Sequence, residues 1–591
     1  MKDEKRRVPR VRLPFTCPLP LAPEYCDALM RRSLWIIASL LLLNAVLAWT
    51  SVSGKSATYD EPLHLASAMA QSQLGDYRID PEDPALFKHW MALGLPDYAL
   101  PTDTPYWEAT AVEPSSQWAW SSLTVFGQRG TDPEALIASS RGHMLVLAVV
   151  LGALIAFWAC QLGGDWAGVL AVAFFAFDPN FLAHGPIAKN DVIVSLGFLT
   201  TVYALWRLGR RITVPWLVAL LLATAATLCV KFSGLLLAAI VPLTLAVRAM
   251  LPSAWTWWRG ELQTRIQRLA AAVGLSVLCA AVCVLGIWAS YGFRYAPSPD
   301  ASYHFDLARR TVHQPLLVQA DRLHLLPAAY LYGLAYTLDS ANARGAFLLG
   351  EISTTGFWYY FPVAMAVKTP LAILAATVTA LVLALINRGR RGLRRQGWAA
   401  VCLSIPVVLY LLVALRSNLN IGLRHVLPVY PLVYIAIAVT LRRYRWATMS
   451  VVLVLAVESL SVYPNYIPYF NVAAGGSRGG IRVLCDSNLD WGQDLKALAA
   501  WQQDHPDKLL YLSYFGTADP SAYGIKYVNC GAGYIFQLDK YMPGKPGVIA
   551  VSATHLQGMY IPPDLQWFYR ALRTQQPIDV LGGTIYLYEW K

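Results

Sequence analysis

The chain has 591 residues, of which 56% are hydrophobic, 12% aromatic and only 14% charged. A soluble protein of this length needs far more charge to cover its surface, so that class is excluded. The formal net charge of +12 would suit nucleic acid, but the basic residues sit in short connections between apolar runs, which excludes that partner.

Residues 1–33 form a basic segment, KDEKRRVPRVR followed by Arg31 and Arg32, expected on the cytoplasmic side. The first apolar run, LWIIASLLLLNAVLAWT, comes after this long polar stretch and reads as an anchoring span, not as a cleaved signal peptide. Apolar runs then recur to Val462, at 34–50, 143–161, 166–178, 191–206, 214–230, 233–250, 269–290, 370–387, 399–415, 425–441 and 446–463. At about 17–25 residues per crossing they predict a polytopic α-helical membrane protein with about eleven spans, its transmembrane domain covering 34–463. Arg207, Arg210 and Arg211 mark one inner loop, and Arg248, Arg259, Arg265 and Arg268 another. Arg388, Arg390, Arg391, Arg394 and Arg395 fill a third, and Arg442, Arg443 and Arg445 a fourth. Loops rich in arginine are retained inside, which leaves 51–142 and 291–369 as long outer loops.

The stretch DPALFKHWMALGLPDY of the first loop reads as a helix lying on the bilayer or packed on the loop itself, with Leu86, Phe87, Trp90, Met91 and Leu93 as its apolar residues. FWYYFPVAMAV, before Pro370, reads as an aromatic interfacial segment. No period of about 20–50 residues appears, and no two halves carry matching interrupted spans. After about Tyr463 the long apolar runs cease. Residues 464–591 alternate short apolar runs (KLLYLSYFG, PGVIAVSA, GGTIYLYEW) with helical patterns (DLKALAAWQQ, DLQWFYRALR), which predicts a small extracytoplasmic α/β domain. Of nine cysteines, Cys485 and Cys530 fall in this domain and would pair if it faces an oxidising compartment and their separation allows.

The ionisable residues on the outer side carry the chemistry. Asp60 and Glu61 follow the first span in TYDEPLHL, where the simplest role is a helix cap with Pro62 in the first turn. His184, Lys189 and Asp191 lie in the turn FDPNFLAHGPIAKND, Lys231 in the tight turn VKFSG, Lys368 before a span, and Arg424 and His425 in NIGLRHVLP. One cation at a span end ordinarily snorkels to the interface. Several together oppose the inside bias of the other arginines, and each would cost about 2.5–3.5 kcal/mol if deeply immersed. Paired with acids on the same face, they describe a pocket for an anionic group, and a lipid phosphate is the anion best placed to reach it. A carboxylate beside that phosphate could accept the proton of a hydroxyl attacking the carbon bonded to it. No nucleotide-binding fingerprint is present in the sequence.

The acidic pair after the first span resembles the first outer loop of the protein O-mannosyltransferase family. DPALFK, PNFLAHGPIAKND, KFSG, YGFRYAP, GFWYYFPVAMAVKTP, IGLRHVLPVYP and SNLDWGQDLKALAAW resemble its bacterial branch, which includes the lipid A aminoarabinose transferases. The resemblance implies a GT-C fold and inverting transfer of one sugar from a polyprenyl phosphate at the outer face of the inner (cell) membrane. It implies Asp60 as base, Glu61 as its assistant or orienting group and, more loosely, a catalytic part for Asp191. Lys231, Arg424 and Lys368 would hold the phosphate, with His184, Lys189 and His425 as further substrate-binding candidates. The second long loop is too short for the repeat domains of yeast-type relatives and a C-terminal domain stands instead, so the acceptor is left open among protein, lipid and glycan.

No cofactor is required by this chemistry. His64 lies four residues after Asp60 and His184 lies near Asp191, which is compatible with a divalent metal, though structural histidines fit the spacing better. Asp486, Asp490 and Asp494 share a face if helical and read as a capped surface helix or an acceptor site. Trp491 reads as a sugar platform or as core. The competing readings are a non-catalytic transporter or flippase for an anionic lipid, using the same cations, and an assembly subunit.

Overall fold

A computed structural model describes residues 23–110, 115–128, 130–307, 314–386 and 391–591. Most of the basic N-terminal segment, together with Arg388 and Arg390, lies outside them. Every predicted span is helical. Among the described residues, seven helices are long and apolar enough to cross a membrane, or eight if Tyr360–Lys368 and Leu371–Ile386, bent by 112° at Thr369–Pro370, count as one span. Asp165–Ala176, Val214–Leu228 and Arg445–Ser461 are shorter, at 12, 15 and 17 residues. At about 1.5 Å per residue the first two fall short of a hydrocarbon layer about 30 Å thick, and the third stands at the lower bound for one crossing. The molecule is a polytopic helical membrane protein with a C-terminal sheet domain.

Local chemistry sets the helix ends. Asp132 caps the helix Pro133–Gly163, accepting from the amides of Glu134 and Ala135 with Pro133 behind it. Thr264 and Gln267 form a reciprocal capping box on Arg265–Ser290. Gly164, at φ +83°, makes the turn into Asp165–Ala176. Gly333 serves a different need: a Cβ there would lie 1.7 Å from the Pro81 carbonyl oxygen. Only glycine lets the helix Ala328–Ala343 press against the loop that carries Glu82 and Asp83.

The helix Leu86–Ala92 buries Phe87, Lys88 and Met91, so this stretch packs on the protein and leaves Leu93 outward. The C-terminal domain holds a mixed five-stranded sheet, in the order Val528–Asn529, Leu510–Ser513, Gly547–Ser552, Ile585–Trp590, Asp579–Leu581. The first three are parallel and the last two join antiparallel. Gly547–Ser552 sits centrally with five of its six residues buried, which explains its unbroken apolar run. The helix Gln566–Arg573 buries Phe568, Tyr569 and Leu572 and turns Trp567 and Arg570 out. Cys485 and Cys530 are both buried free thiols; Cys485 packs on Phe347 and Met559 and Cys530 lies in the main core, so no disulfide joins them.

The long segment after the first span is stitched to this domain. The amides of Ser56 and Tyr59 donate to the carbonyls of Gln493 (2.9 Å) and Trp491 (2.8 Å). Lys55 Nζ reaches Asp494 and Asn465, both at 2.5 Å. Asp60 is thereby held between the helical domain and the C-terminal domain.

Candidate active site

Asp60 occupies the N-cap position of the helix Glu61–Met69, yet its side chain makes no cap hydrogen bond. Its Oδ2 lies instead 2.9 Å from Lys189 Nζ and 3.5 Å from Arg424 Nη1. Burial pushes the Asp60 pKa up, but Lys189, Arg424 and His64 outweigh it and hold the carboxyl below its usual range. Lys189 in turn meets Asp83 at 3.1 Å and His64 Nε2 at 2.9 Å. Burial alone would lower the Lys189 pKa; Asp60 and Asp83 reverse that and raise it.

Arg424 is the hub. Its Nη1 also lies 3.4 Å from Asp191 Oδ2, its Nε donates to Ser487 Oγ at 3.0 Å, and its guanidinium sits 4.4 Å from the centre of the Trp491 ring. Asp191 opens the helix Asp191–Arg210, where the dipole favours an acid, and its other oxygen pairs with Lys231.

Two cavities meet at these residues. The smaller, about 140 Å³, is lined by Asp60, Glu82, Lys189, Lys231, Arg424 and His425 among others. The larger, about 380 Å³, opens between the domains and shares Asp60, Arg344, Ile421 and Arg424 with the first. An apolar groove of about 510 Å³ runs along Asp191–Arg210 and Val214–Leu228 to Val230, next to Lys231 in the chain.

The structure brings Asp60, Lys189, Lys231, Arg424 and His425 to one cavity and places the other candidates elsewhere. Glu61 is fully buried and clamped by Arg141, with Oε2 at 2.7 Å from Nη2, and lines neither cavity. Asp191 is 2% exposed on its side chain and braces Lys231 and Arg424, also without lining a cavity. Lys368 turns the other way, donating to the carbonyls of Ile467 (2.8 Å) and Asn488 (2.7 Å), so it ties the bent helix pair to the C-terminal segment. His184 is buried edge-on to Trp491, and burial pushes its pKa down to about 3, keeping it neutral. Asp486, Asp490 and Asp494 share no helix face: Asp486 opens a 3-10 turn, Asp494 precedes the helix Leu495–Asp504, and all three are buried.

Glu82, Asp83, Lys88 and Arg344 were given no site role by sequence reasoning. Lys88 pairs with Asp80 at 3.0 Å, and Arg344 lines both cavities. Burial, with Asp80 and Asp83 nearby and against the pull of Arg344, pushes the Glu82 pKa up to about 7. The sequence signal for Asp83 and Lys88 was the DPALFK stretch itself; Glu82 and Arg344 gave none.

His64, Asp80 and Asp83 place possible metal-ligand atoms within 4.8 Å of one another. Those atoms are already engaged: His64 Nδ1 meets Asp80 at 2.8 Å, His64 Nε2 meets Lys189, and Lys88 and Lys189 neutralise the two acids. The ammonium groups stand where a cation would, so the donor set does not fit a metal without displacing them.

No protein-family model and no curated protein sequence matches the chain. Among solved structures, ArnT from Cupriavidus metallidurans in the apo state aligns with 93% of this chain and 97% of its own, at 12% identity and a TM-score of 0.31. ArnT bound to undecaprenyl phosphate covers the same shares, 93% and 97%, at 13% identity and 0.29. The Archaeoglobus fulgidus oligosaccharyltransferase in the apo form aligns with 83% of this chain and 63% of its own, at 12% identity and 0.41. Likenesses this distant decide neither family nor activity.

Proposed function

We propose that the chain is a membrane glycosyltransferase of the GT-C type, moving one sugar with inversion from a polyprenyl phosphate to an acceptor hydroxyl on the outer side of the inner (cell) membrane. The observation that carries this reading is the position of Asp60, in the shared wall of a cation-lined cavity and an open one, touching Lys189 and Arg424. The lipid phosphate would enter the smaller cavity against Lys189, Lys231 and Arg424, with its isoprenoid tail in the apolar groove beside Val230. The acceptor would arrive from the larger cavity.

The step balances. Asp60 takes the acceptor's hydroxyl proton as that oxygen bonds to the anomeric carbon. The bond from that carbon to the phosphate oxygen breaks and its electron pair stays on the phosphate, which gains one negative charge. The cations stabilise that charge more strongly in the transition state than in the donor. In the absence of donor, Asp60 and Asp191 serve as counter-ions, which keeps the buried cations from standing uncompensated. Asp191, which the resemblance counted as catalytic, then acts as a positioning residue for Lys231 and Arg424, and Glu61 as an anchor of the loop.

The test is release of polyprenyl phosphate by purified Asp60→Asn protein supplied with a panel of lipid-linked sugars. A loss of about 10²–10⁴-fold is expected for removal of a general base, with undecaprenyl phosphate still bound. Transfer at the wild-type rate would remove Asp60 from the chemistry, and movement of intact donor between leaflets without its consumption would favour a transporter.

A further inference from the structure

The larger cavity has a wall that the transfer step leaves without a task. Tyr59 of the first loop stacks on Phe515 with centroids 5.0 Å apart, and Phe515 stacks on Tyr560 at 5.4 Å and 8°. One face of Tyr560 is covered by Phe515, and the residue is still 45% exposed. All three line the cavity, as does Trp118, which meets Tyr59 edge-on.

Polar groups rim these rings. The Tyr560 hydroxyl donates to Asp486 Oδ2 at 2.8 Å, and Asp486 also lines the cavity. His555 bonds Ser513 Oγ through Nδ1 at 3.0 Å, which leaves Nε2 as the remaining polar atom of a buried ring at the same wall. Both Asp486 and Tyr560 hold left-handed backbone, at φ +54° and +58°. An aspartate tolerates that region, but a tyrosine enters it only where its surroundings impose it, and such positions gather at functional sites. Neither residue belongs to a strand of the sheet, so sheet formation does not account for the strain.

A flat apolar face bordered by a carboxylate and an imidazole is the complement of a sugar ring, which carries C–H groups on its face and hydroxyls around its rim. We propose that this cavity is a carbohydrate subsite: the acceptor is a glycan whose sugar ring lies on the exposed face of Tyr560, with its hydroxyls meeting Asp486 and His555. This rests on the glycosyl-transfer reading, since the same cavity ends at Asp60. Its volume of about 380 Å³ lies in the usual range for small-molecule sites, roughly 300–1,000 Å³.

The full chain in lipid nanodiscs would be tested by saturation-transfer NMR with gluco-, manno- and galacto-tetrasaccharides and with a serine- and threonine-containing decapeptide. Undecaprenyl phosphate binding would be followed separately by thermal shift. Tyr560→Gly removes the ring and suits the positive φ, so the fold is spared; Tyr560→Phe keeps the ring. At least one tetrasaccharide should bind, about tenfold or more weakly to Tyr560→Gly and within about threefold of wild type to Tyr560→Phe, with undecaprenyl phosphate binding equal in all three. Binding of the peptide alone, of no tetrasaccharide, or of tetrasaccharide equally to Tyr560→Gly would overturn the proposal. If a tetrasaccharide binds as expected but undecaprenyl phosphate does not bind wild type, the subsite stands and the donor reading, with the acceptor role built on it, falls.

Discussion

Asp60 and Glu61 are neighbours in the chain, yet each belongs to a different buried ion cluster. Around Glu61 the cluster is closed. Arg141 Nε and the Ala188 amide donate to Oε1 at 2.8 and 3.1 Å, while Arg141 Nη2 and the Thr58 amide donate to Oε2 at 2.7 and 2.8 Å. Arg141 spends its other donors on the carbonyls of Val52, Lys55 and Ser56. Nothing is left over for a ligand. Around Asp60 the cluster is open: Asp60, Lys189, Arg424, Asp191 and Lys231 are linked by ion pairs, all but Asp191 line the smaller cavity, and the Asp60 side chain keeps 14% of its surface exposed. A closed buried pair fixes a loop in place. An open one keeps charge ready for a ligand at the cost of a less complete set of partners.

Breaking the closed cluster should have the largest effect on the fold. Glu61→Ala leaves Arg141 buried without its anion and should cost about 3–5 kcal/mol, read as a lower unfolding midpoint in detergent. Asp60→Asn should lower that midpoint by less, because Lys189 and Arg424 keep Asp83 and Asp191 as counter-ions; equal losses in both variants would erase the distinction. Within the open cluster, Arg424→Lys keeps the charge but cannot span Asp60, Asp191 and Ser487 together, and should lower sugar transfer about tenfold or more.

A smaller effect concerns pH. The Glu82 pKa is raised from its ordinary value to about 7, so Glu82 contributes stability at pH below the unfolded carboxyl pKa and loses it as pH rises toward 7. Glu82→Gln should flatten that part of the stability profile by about 1 kcal/mol per pH unit, and an unchanged slope would mean that Glu82 titrates normally. The smallest effect is expected at the exposed pair Lys496–Glu134, where Lys496→Ala should cost less than about 1 kcal/mol and less again in high salt.

How much of the site was legible depended on where each charge sat. Lys189, Lys231, Arg424 and His425 stood out because a charge near the end of an apolar span is expensive and asks for a reason. Glu82, Asp83 and Arg344 lie in long polar loops where charge costs nothing, so composition gave no warning that folding would bury them beside Asp60. Lys368 and His184 looked equivalent to Lys231 because position along a span gives depth. Which neighbour a side chain faces is another matter when most of its helix is buried. Lys368 turned to two carbonyls of the C-terminal segment and His184 to the edge of Trp491. The disulfide expected as an option failed for a related reason, since sequence does not give the separation of two cysteines.

The sequence by itself determined the membrane class, the places of the apolar spans and three of the five strands of the C-terminal domain. Those follow from transfer free energy and from the 3.6- and 2-residue periods, which act locally along the chain. Only the tertiary structure decided that Asp60 and Arg424 touch, that Glu61 does not share their cavity, and that Tyr560 comes to face it. Contacts between residues so far apart in the chain depend on how whole helices and a docked domain close around one another, and no local pattern records that.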